Sequence, residues 1–253
     1  MDTDTRIRID AAEAAGYLPQ WRSIAQGSSA NFWWSRSSLA TGSSILHNGT
    51  MCAIGTGKKT LCITAGHVFS KYREHVRKYG DIECQIGNVR VDLEKYVVDF
   101  DIEYDLAVFE LSPVLIAASG IRPHVAPSWP PSALRDKDIV VIGGYPGLLR
   151  SEREGFVQSG FVTLLVRVAQ SSSSHSAFLL NLENSYWPDG SGGLPDGVEL
   201  GGMSGGPIFR YVEEPIEFLE IAGFIYEANS KFGIVRGRNA ACISSSGKIE
   251  RYG

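Results

Sequence analysis

Several features are scarce in this chain, and each scarcity removes a class of protein. No apolar run approaches the length of a membrane-crossing helix. The first twenty residues, Met1 to Gln20, lack the apolar core of a secretory signal, which points to a cytoplasmic protein. Cysteine occurs only at Cys52, Cys62, Cys84 and Cys242, never as a C-x-x-C pair and never at metal-ligand spacing, so no metal site is expected of them. Cys52 and Cys62 could face each other across a hairpin centred near Gly57. That leaves a bridge open, although free buried thiols in a reducing compartment are the expectation. Basic charge is not in excess either: 24 Lys and Arg stand against 28 Asp and Glu, a net charge of −4, which argues against a general nucleic-acid binder. The one basic cluster, Lys71 to Lys78, is interleaved with Val68, Phe69, Tyr72, Val76 and Tyr79 at helical spacing. It reads as the solvated face of an amphipathic helix.

What the chain has in quantity is turn chemistry. The 28 glycines and 11 prolines punctuate short apolar runs, as expected of an all-β protein whose 253 residues suffice for one double-barrel domain or two small ones. Residues 49–54 and 61–64 read as a hairpin, and 89–100 and 106–111 as further strands of a first barrel. The four prolines within 123–131 mark a linker. A second barrel then starts at 138–147 and continues through 161–168, 178–182, 207–212, 218–226 and a last run from Gly233 toward Ile243. Asp10 to Glu13 looks like a helix start with a capping box. The aromatic residues that follow, Trp21, Phe32, Trp33 and Trp34, are expected to pack on a barrel, since exposed they would promote aggregation.

Gly202-Met203-Ser204-Gly205-Gly206-Pro207 carries the most chemical information. A serine among glycines has an exposed hydroxyl on a backbone free to turn several N–H groups toward one point, as an oxyanion hole requires. Alone it could be an ordinary glycine-rich turn. Upstream lie Thr64-Ala65-Gly66-His67 and Asp105-Leu106-Ala107-Val108, with the histidine, aspartate and serine separated by 38 and 99 residues. A serine hydroxyl is a poor nucleophile until a base takes its proton, and an imidazole oriented by a carboxylate can do so. Separately, His67 could cap a helix and Asp105 could serve only a turn. Asp99 and Asp101 compete with Asp105, but only Asp105 directly precedes the Leu-Ala-Val-Phe run.

The order and local pattern of these three motifs resemble the trypsin/chymotrypsin-like serine peptidases, over roughly residues 43 to 240. The resemblance implies two six-stranded antiparallel β-barrels with a short helical N-terminal segment. It places an N-terminal extension at 1–42, a first barrel with His67 and Asp105 at 43–130, and a second barrel with Ser204 at 131–253. It implies a peptidase with Ser204 as nucleophile, His67 as general acid/base, Asp105 as orienting carboxylate, and the backbone N–H groups of Gly202 and Ser204 as oxyanion donors. Val198 falls at the floor of the specificity pocket, with Tyr226, Glu227, Ala228 and Gly233 on its walls. An uncharged residue is then expected on the acyl side of the scissile bond, unless a one-residue shift brings Glu199 to the floor. Met203 stands where zymogen-type members carry an aspartate, so no new N-terminal amine can order the oxyanion loop by that ion pair. Tyr226 stands where many relatives have a serine near the buried aspartate. A polypeptide substrate and an activating or regulatory protein partner are implied, with no nucleic acid and no membrane. A catalytically silent peptide-binding module and an esterase are the other classes in view.

Overall fold

The structure, a computed structural model, describes residues 10–36, 46–153, 156–172, 177–186, 200–212, 218–229 and 233–251. After a helical segment at 10–14, helix α1 (Tyr17–Gly27) places Leu18, Trp21 and Ala25 on one buried stripe, the i, i+3, i+7 spacing of a one-faced helix. Strand β1 (Ser29–Ser35) follows at once and is buried at every residue. The hairpin β2 (His47–Gly55) and β3 (Thr60–Ala65) runs straight into helix α2 (Gly66–Tyr79). Then come β4 (Glu83–Ile86), β5 (Val89–Arg90), β6 (Val97–Asp101), β7 (Leu106–Phe109), helix α3 (Pro113–Ser119) and the short β8 (His124–Val125). The later half contains β9 (Ile139–Gly144), a separate hairpin β10 (Arg150–Arg153) and β11 (Phe156–Ser159), and β12 (Val162–Ser171). It ends with β13 (Ala177–Tyr186), β14 (Pro207–Val212), β15 (Phe218–Asn229) and β16 (Ile234–Asn239).

The expected barrel in the second half is present: β12-β13-β16-β15-β14-β9 closes on itself with antiparallel pairing throughout. The first half departs from expectation. Among the described residues it is an eight-stranded sheet in the order β5-β4-β1-β2-β3-β7-β6 with β8 alongside β2, and not a second closed six-stranded barrel. The extra strand is β1, which lies between β2 and β4 and comes from the segment ahead of the expected barrel boundary. Its sequence, Ser29 to Ser35, shows no polar alternation because both of its faces are covered.

Three apolar layers hold the two halves. Cys52, Ile54, Ile63 and Val108 of the sheet meet Val141, Phe209 and Phe224 of the barrel, with Trp21 among them; the Trp21 ring lies 4.8 Å from that of Tyr211. The opposite face of the sheet packs Phe32, Met51 and Phe109 under Phe69 and Tyr72 of α2. Val140, Leu164, Phe178, Ile208 and Val235 fill the barrel. Each such side chain contributes roughly 1.5–3 kcal/mol on burial, so the shared layer fixes the sheet against the barrel and makes α1 part of the core.

The hairpin register excludes the bridge left open above. Cys52 stands opposite Ile63, and Cys62 opposite Ala53, so the two thiols point to opposite faces. All four cysteines are free and buried. Burial pushes the Cys52 thiol up to about 12 and raises those of Cys62 and Cys84 as well. No helix among the described residues is long and apolar enough to cross a membrane.

Candidate functional site

The first N–H groups of a helix have no partner within it, and Ala65 at the N-cap of α2 has no polar side chain to offer one. Asp105 supplies the acceptor from 38 residues away: Oδ1 takes the His67 backbone N–H at 2.5 Å, and Oδ2 meets His67 Nδ1 at 2.8 Å. One carboxylate therefore fixes both the main chain and the ring. A carboxylate only accepts, so in the neutral imidazole Nδ1 carries the proton and Nε2 keeps a lone pair. The His67 side chain is 51% exposed and that of Asp105 18%, so the ring is reachable from solvent while the carboxylate is sheltered. Gly66 makes the approach possible, since a Cβ there would lie 2.9 Å from the Asp105 carbonyl carbon and 3.0 Å from Oδ1.

Asp105 has a φ of 52°, the left-handed region that aspartate tolerates better than most residues. The turn over 102–105 is held from several sides. Asp101 Oδ1 accepts the N–H groups of Glu103 and Tyr104 at 2.8 and 3.0 Å, and Arg251 Nε donates to Asp101 Oδ2 at 2.8 Å. Arg238, from β16, donates to the Tyr104 carbonyl at 2.8 Å. Asp99 is engaged elsewhere, accepting the N–H groups of Phe100 and Ile249. Of the three competing aspartates, only Asp105 meets His67.

Burial alone would raise the Asp101 pKa, but the Tyr104 N–H, Arg251 and the Glu103 N–H together hold it below the usual carboxylate range. A carboxyl depressed in the folded state adds stability above its unfolded pKa and loses that contribution as pH falls through the folded value. Asp101→Asn should therefore lower the urea midpoint at neutral pH, with the gap to wild type closing on acidification. A gap that persisted unchanged into acid would show that Asp101 acts by shape and not by charge.

The serine loop is pinned at three successive peptide units. The Gly201 carbonyl accepts the Gly147 N–H at 2.7 Å, the Gly202 carbonyl accepts Thr50 Oγ1 at 2.8 Å, and the Met203 carbonyl accepts the Gly206 N–H at 2.8 Å. In a trans peptide the N–H points away from its carbonyl, so these bonds also fix the directions of the Gly202, Met203 and Ser204 N–H groups. The Met203 N–H is taken by the Leu200 carbonyl at 3.1 Å and that of Gly205 by Ile225 at 2.6 Å. Those of Gly202 and Ser204 have no acceptor among the described residues. Two fixed donors two residues apart, unengaged among the described residues, can bind an anion.

The loop is seated on the hairpin that leads to His67. Gly205 has a φ of 90°, and a Cβ there would lie 2.0 Å from the Thr50 carbonyl oxygen and 2.4 Å from Thr64 Oγ1. The Thr50 N–H donates to the Ser204 carbonyl at 2.9 Å. A Cβ on Gly49 would touch Val68 Cγ1 at 2.6 Å and the Ser204 carbonyl oxygen at 3.5 Å, which places the serine beside the start of α2. Ser204 Oγ itself makes no hydrogen bond to His67 or to any other described residue. Met203 is fully buried in the barrel layer, so the loop is anchored by an apolar side chain.

Thr50 was not legible in the sequence as part of the site. Besides donating to Gly202, its Oγ1 accepts the Tyr145 N–H at 2.9 Å. Asn48 Nδ2 donates to the Tyr145 carbonyl at 3.0 Å, and Arg150 holds Asn48 Oδ1 at 2.8 Å. Arg238 carries no such local signal either; its guanidinium lies 4.8 Å from the Tyr104 ring centre and 5.0 Å from that of Tyr226. Burial raises the Tyr226 pKa, with Arg238 and Arg236 opposing and Glu227 and Asp105 adding to the rise. Glu227 is paired with Arg236 at 2.8 Å across the β15–β16 ladder. Ala228 stands opposite Val235, and Gly233 accepts the Leu182 N–H at 2.7 Å. Val198, Asp196 and Glu199 lie outside the described residues.

No family model matches this chain, and no curated protein does. Among solved structures, it is similar to a chain from work on aromatic interactions that drive coupled folding and binding of the intrinsically disordered Sesbania mosaic virus VPg protein. The two are 14% identical with a TM-score of 0.44, over 83% of this chain and 85% of that one. A likeness at that level assigns neither family nor activity.

Proposed function

We propose that the chain is a serine endopeptidase of the trypsin-like kind, its eight-stranded sheet serving in place of the first barrel. The observation that carries this reading is the His67–Asp105 pair, in which one carboxylate holds the helix start and the ring together and leaves Nε2 free. In this reading Nε2 takes the Ser204 hydroxyl proton as Oγ attacks a peptide carbonyl, and Asp105 stabilises the imidazolium that forms. The unengaged N–H groups of Gly202 and Ser204 receive the oxyanion. His67 then gives its proton to the leaving amine, and water releases the acyl group by the same steps reversed. No cofactor is required, and a cytoplasmic setting with narrow or partner-controlled specificity fits the sequence. The pairing of Glu227 with Arg236 leaves that wall carboxylate neutralised, which favours an uncharged residue on the acyl side.

A fluorophosphonate label, casein and a short-chain ester together test the reading. The expected result is labelling mapped to Ser204 with cleavage of both substrates. Ester cleavage that spared casein would make it an esterase, and absence of labelling would leave a peptide-binding module.

The Thr50 hydroxyl gives a second expectation. Thr50→Val keeps the shape but leaves the Gly202 carbonyl and the Tyr145 N–H without their partner. Losing such a bond costs about 1–3 kcal/mol. If that falls on the oxyanion loop, kcat drops roughly ten- to hundredfold with little change in KM. Steady-state kinetics beside a melting curve checks it; wild-type kcat in a folded variant would remove Thr50 from the site.

A further inference from the structure

The carboxylate that meets His67 sits on an uncommon piece of main chain. Asp105 has a φ of 52°, and a residue with a side chain keeps that conformation only where its surroundings hold it there. The peptide unit joining Tyr104 to Asp105 is planar, so turning it about the Asp105 N–Cα bond is a change in that φ. Its carbonyl accepts Arg238 Nε at 2.8 Å. The preceding carbonyl, that of Glu103, accepts Arg238 Nη2 at a longer 3.3 Å. One guanidinium of the barrel strand β16 therefore grips both peptide units that lead into Asp105, a fork that a single-nitrogen cation cannot reproduce.

The arginine is itself held in place. Its guanidinium lies within cation–π reach of two rings, those of Tyr104 and Tyr226. Tyr226 is brought there by an irregularity in the barrel. Ile225 stands opposite Gly237 and Glu227 opposite Arg236, which leaves Tyr226 as the extra residue of β15. A bulge of this kind re-aims a side chain that a regular ladder would point elsewhere. The bland account is that Arg238 only straps the sheet to the barrel. Arg251 already straps the same turn, through the carboxylates of Asp101 and Glu103. A strap alone needs neither two successive carbonyls nor a bulged tyrosine to fix the guanidinium over them.

We propose that Arg238 is a positioning residue for Asp105, fixing the left-handed backbone that aims the carboxylate at His67 Nδ1. The kinetic half of its test rests on the peptidase reading; the spectroscopic half does not. Arg238→Met, made in the full chain, keeps an apolar stem and removes every donor. With the ring neutral, the His67 nitrogen shifts, assigned by their loss in His67→Gln, should show one tautomer protonated at Nδ1 in the wild type and a mixture of both in Arg238→Met. On casein, kcat should fall roughly ten- to hundredfold with KM unchanged, a milder loss than removal of the carboxylate itself. Arg238→Lys, which can hold one carbonyl at a time, should fall between the two on both readouts, and it carries the test if Arg238→Met does not fold. The proposal is overturned if the folded variants keep the wild-type nitrogen shifts, even at a lower melting temperature, since that is the mark of a strap alone. It is also overturned if the shifts move and kcat stays at the wild-type value. An inactive wild type whose shifts respond to Arg238 would sink the peptidase reading and leave this one standing. Wild-type hydrolysis with unresponsive shifts would do the reverse.

Discussion

Ser204→Ala should abolish the hydrolysis of peptides and esters while leaving the melting curve where it was. The two halves of that expectation have separate causes. Chemically, the acyl-enzyme cannot form without Oγ, and loss of the nucleophile in a triad costs on the order of a millionfold in kcat. Structurally, the change removes one oxygen that has no hydrogen bond among the described residues, so no buried partner is orphaned. The contacts that seat the loop are main-chain or come from neighbours: the Ser204 carbonyl to Thr50, the Met203 side chain in the barrel, and Gly205 against Thr64. All of them survive the substitution. The measurement is turnover of casein and of a short-chain ester by rigorously purified variant, beside its thermal melt. Hydrolysis that persisted at a fraction of the wild-type rate would place the nucleophile elsewhere. A large fall in melting temperature would mean that the hydroxyl has a structural role that its lack of partners does not suggest.

Much of the fold is legible along the chain because local pattern and burial agree. The β2–β3 hairpin, β9 and β14 fall close to where apolar runs between glycines and prolines predict them. Helix α2 covers the stretch where Val68, Phe69 and Tyr72 recur at helical spacing. The pattern fails where an element is covered on all sides. Strand β1 shows no alternation because both of its faces are buried, so Phe32, Trp33 and Trp34 read only as aromatics that pack somewhere. Helix α3 carries a local start signal: Ser112 at its N-cap, with its Oγ accepting the Leu115 N–H, and Pro113 in the first turn. In the site, the three motif residues could be read because each sits in a recognisable local run. Their supports could not. Thr50 reaches Gly202 across 152 residues and Arg238 reaches Tyr104 across 134, and no local composition marks such contacts.

Asp105→Asn should lower kcat by about four orders of magnitude with the fold unchanged, and the geometry explains why the loss is so large for one atom. Asparagine is as tolerant as aspartate of the left-handed backbone at this position, so the turn over 102–105 is not strained. The amide has only one acceptor, and the His67 backbone N–H, 2.5 Å from Oδ1, claims it. The amide NH2 then faces His67 Nδ1, where Oδ2 stood at 2.8 Å. A donor facing Nδ1 requires that nitrogen to accept, which moves the ring proton to Nε2 and leaves no lone pair to take the Ser204 proton. Helix capping is kept and the base is lost. Asp105→Ala would lose both, and would also place an alanine at positive φ, so it should unfold at lower temperature as well as lose turnover. The comparison therefore separates tautomer from scaffold. Imidazole nitrogen shifts of His67 should report protonation at Nδ1 in the wild type and at Nε2 in the asparagine variant, in parallel with the kinetics. Activity within about tenfold of wild type would move the orienting role to another carboxylate. Asp99 and Asp101 would then have to leave the N–H groups of Phe100, Glu103, Tyr104 and Ile249 that they now hold.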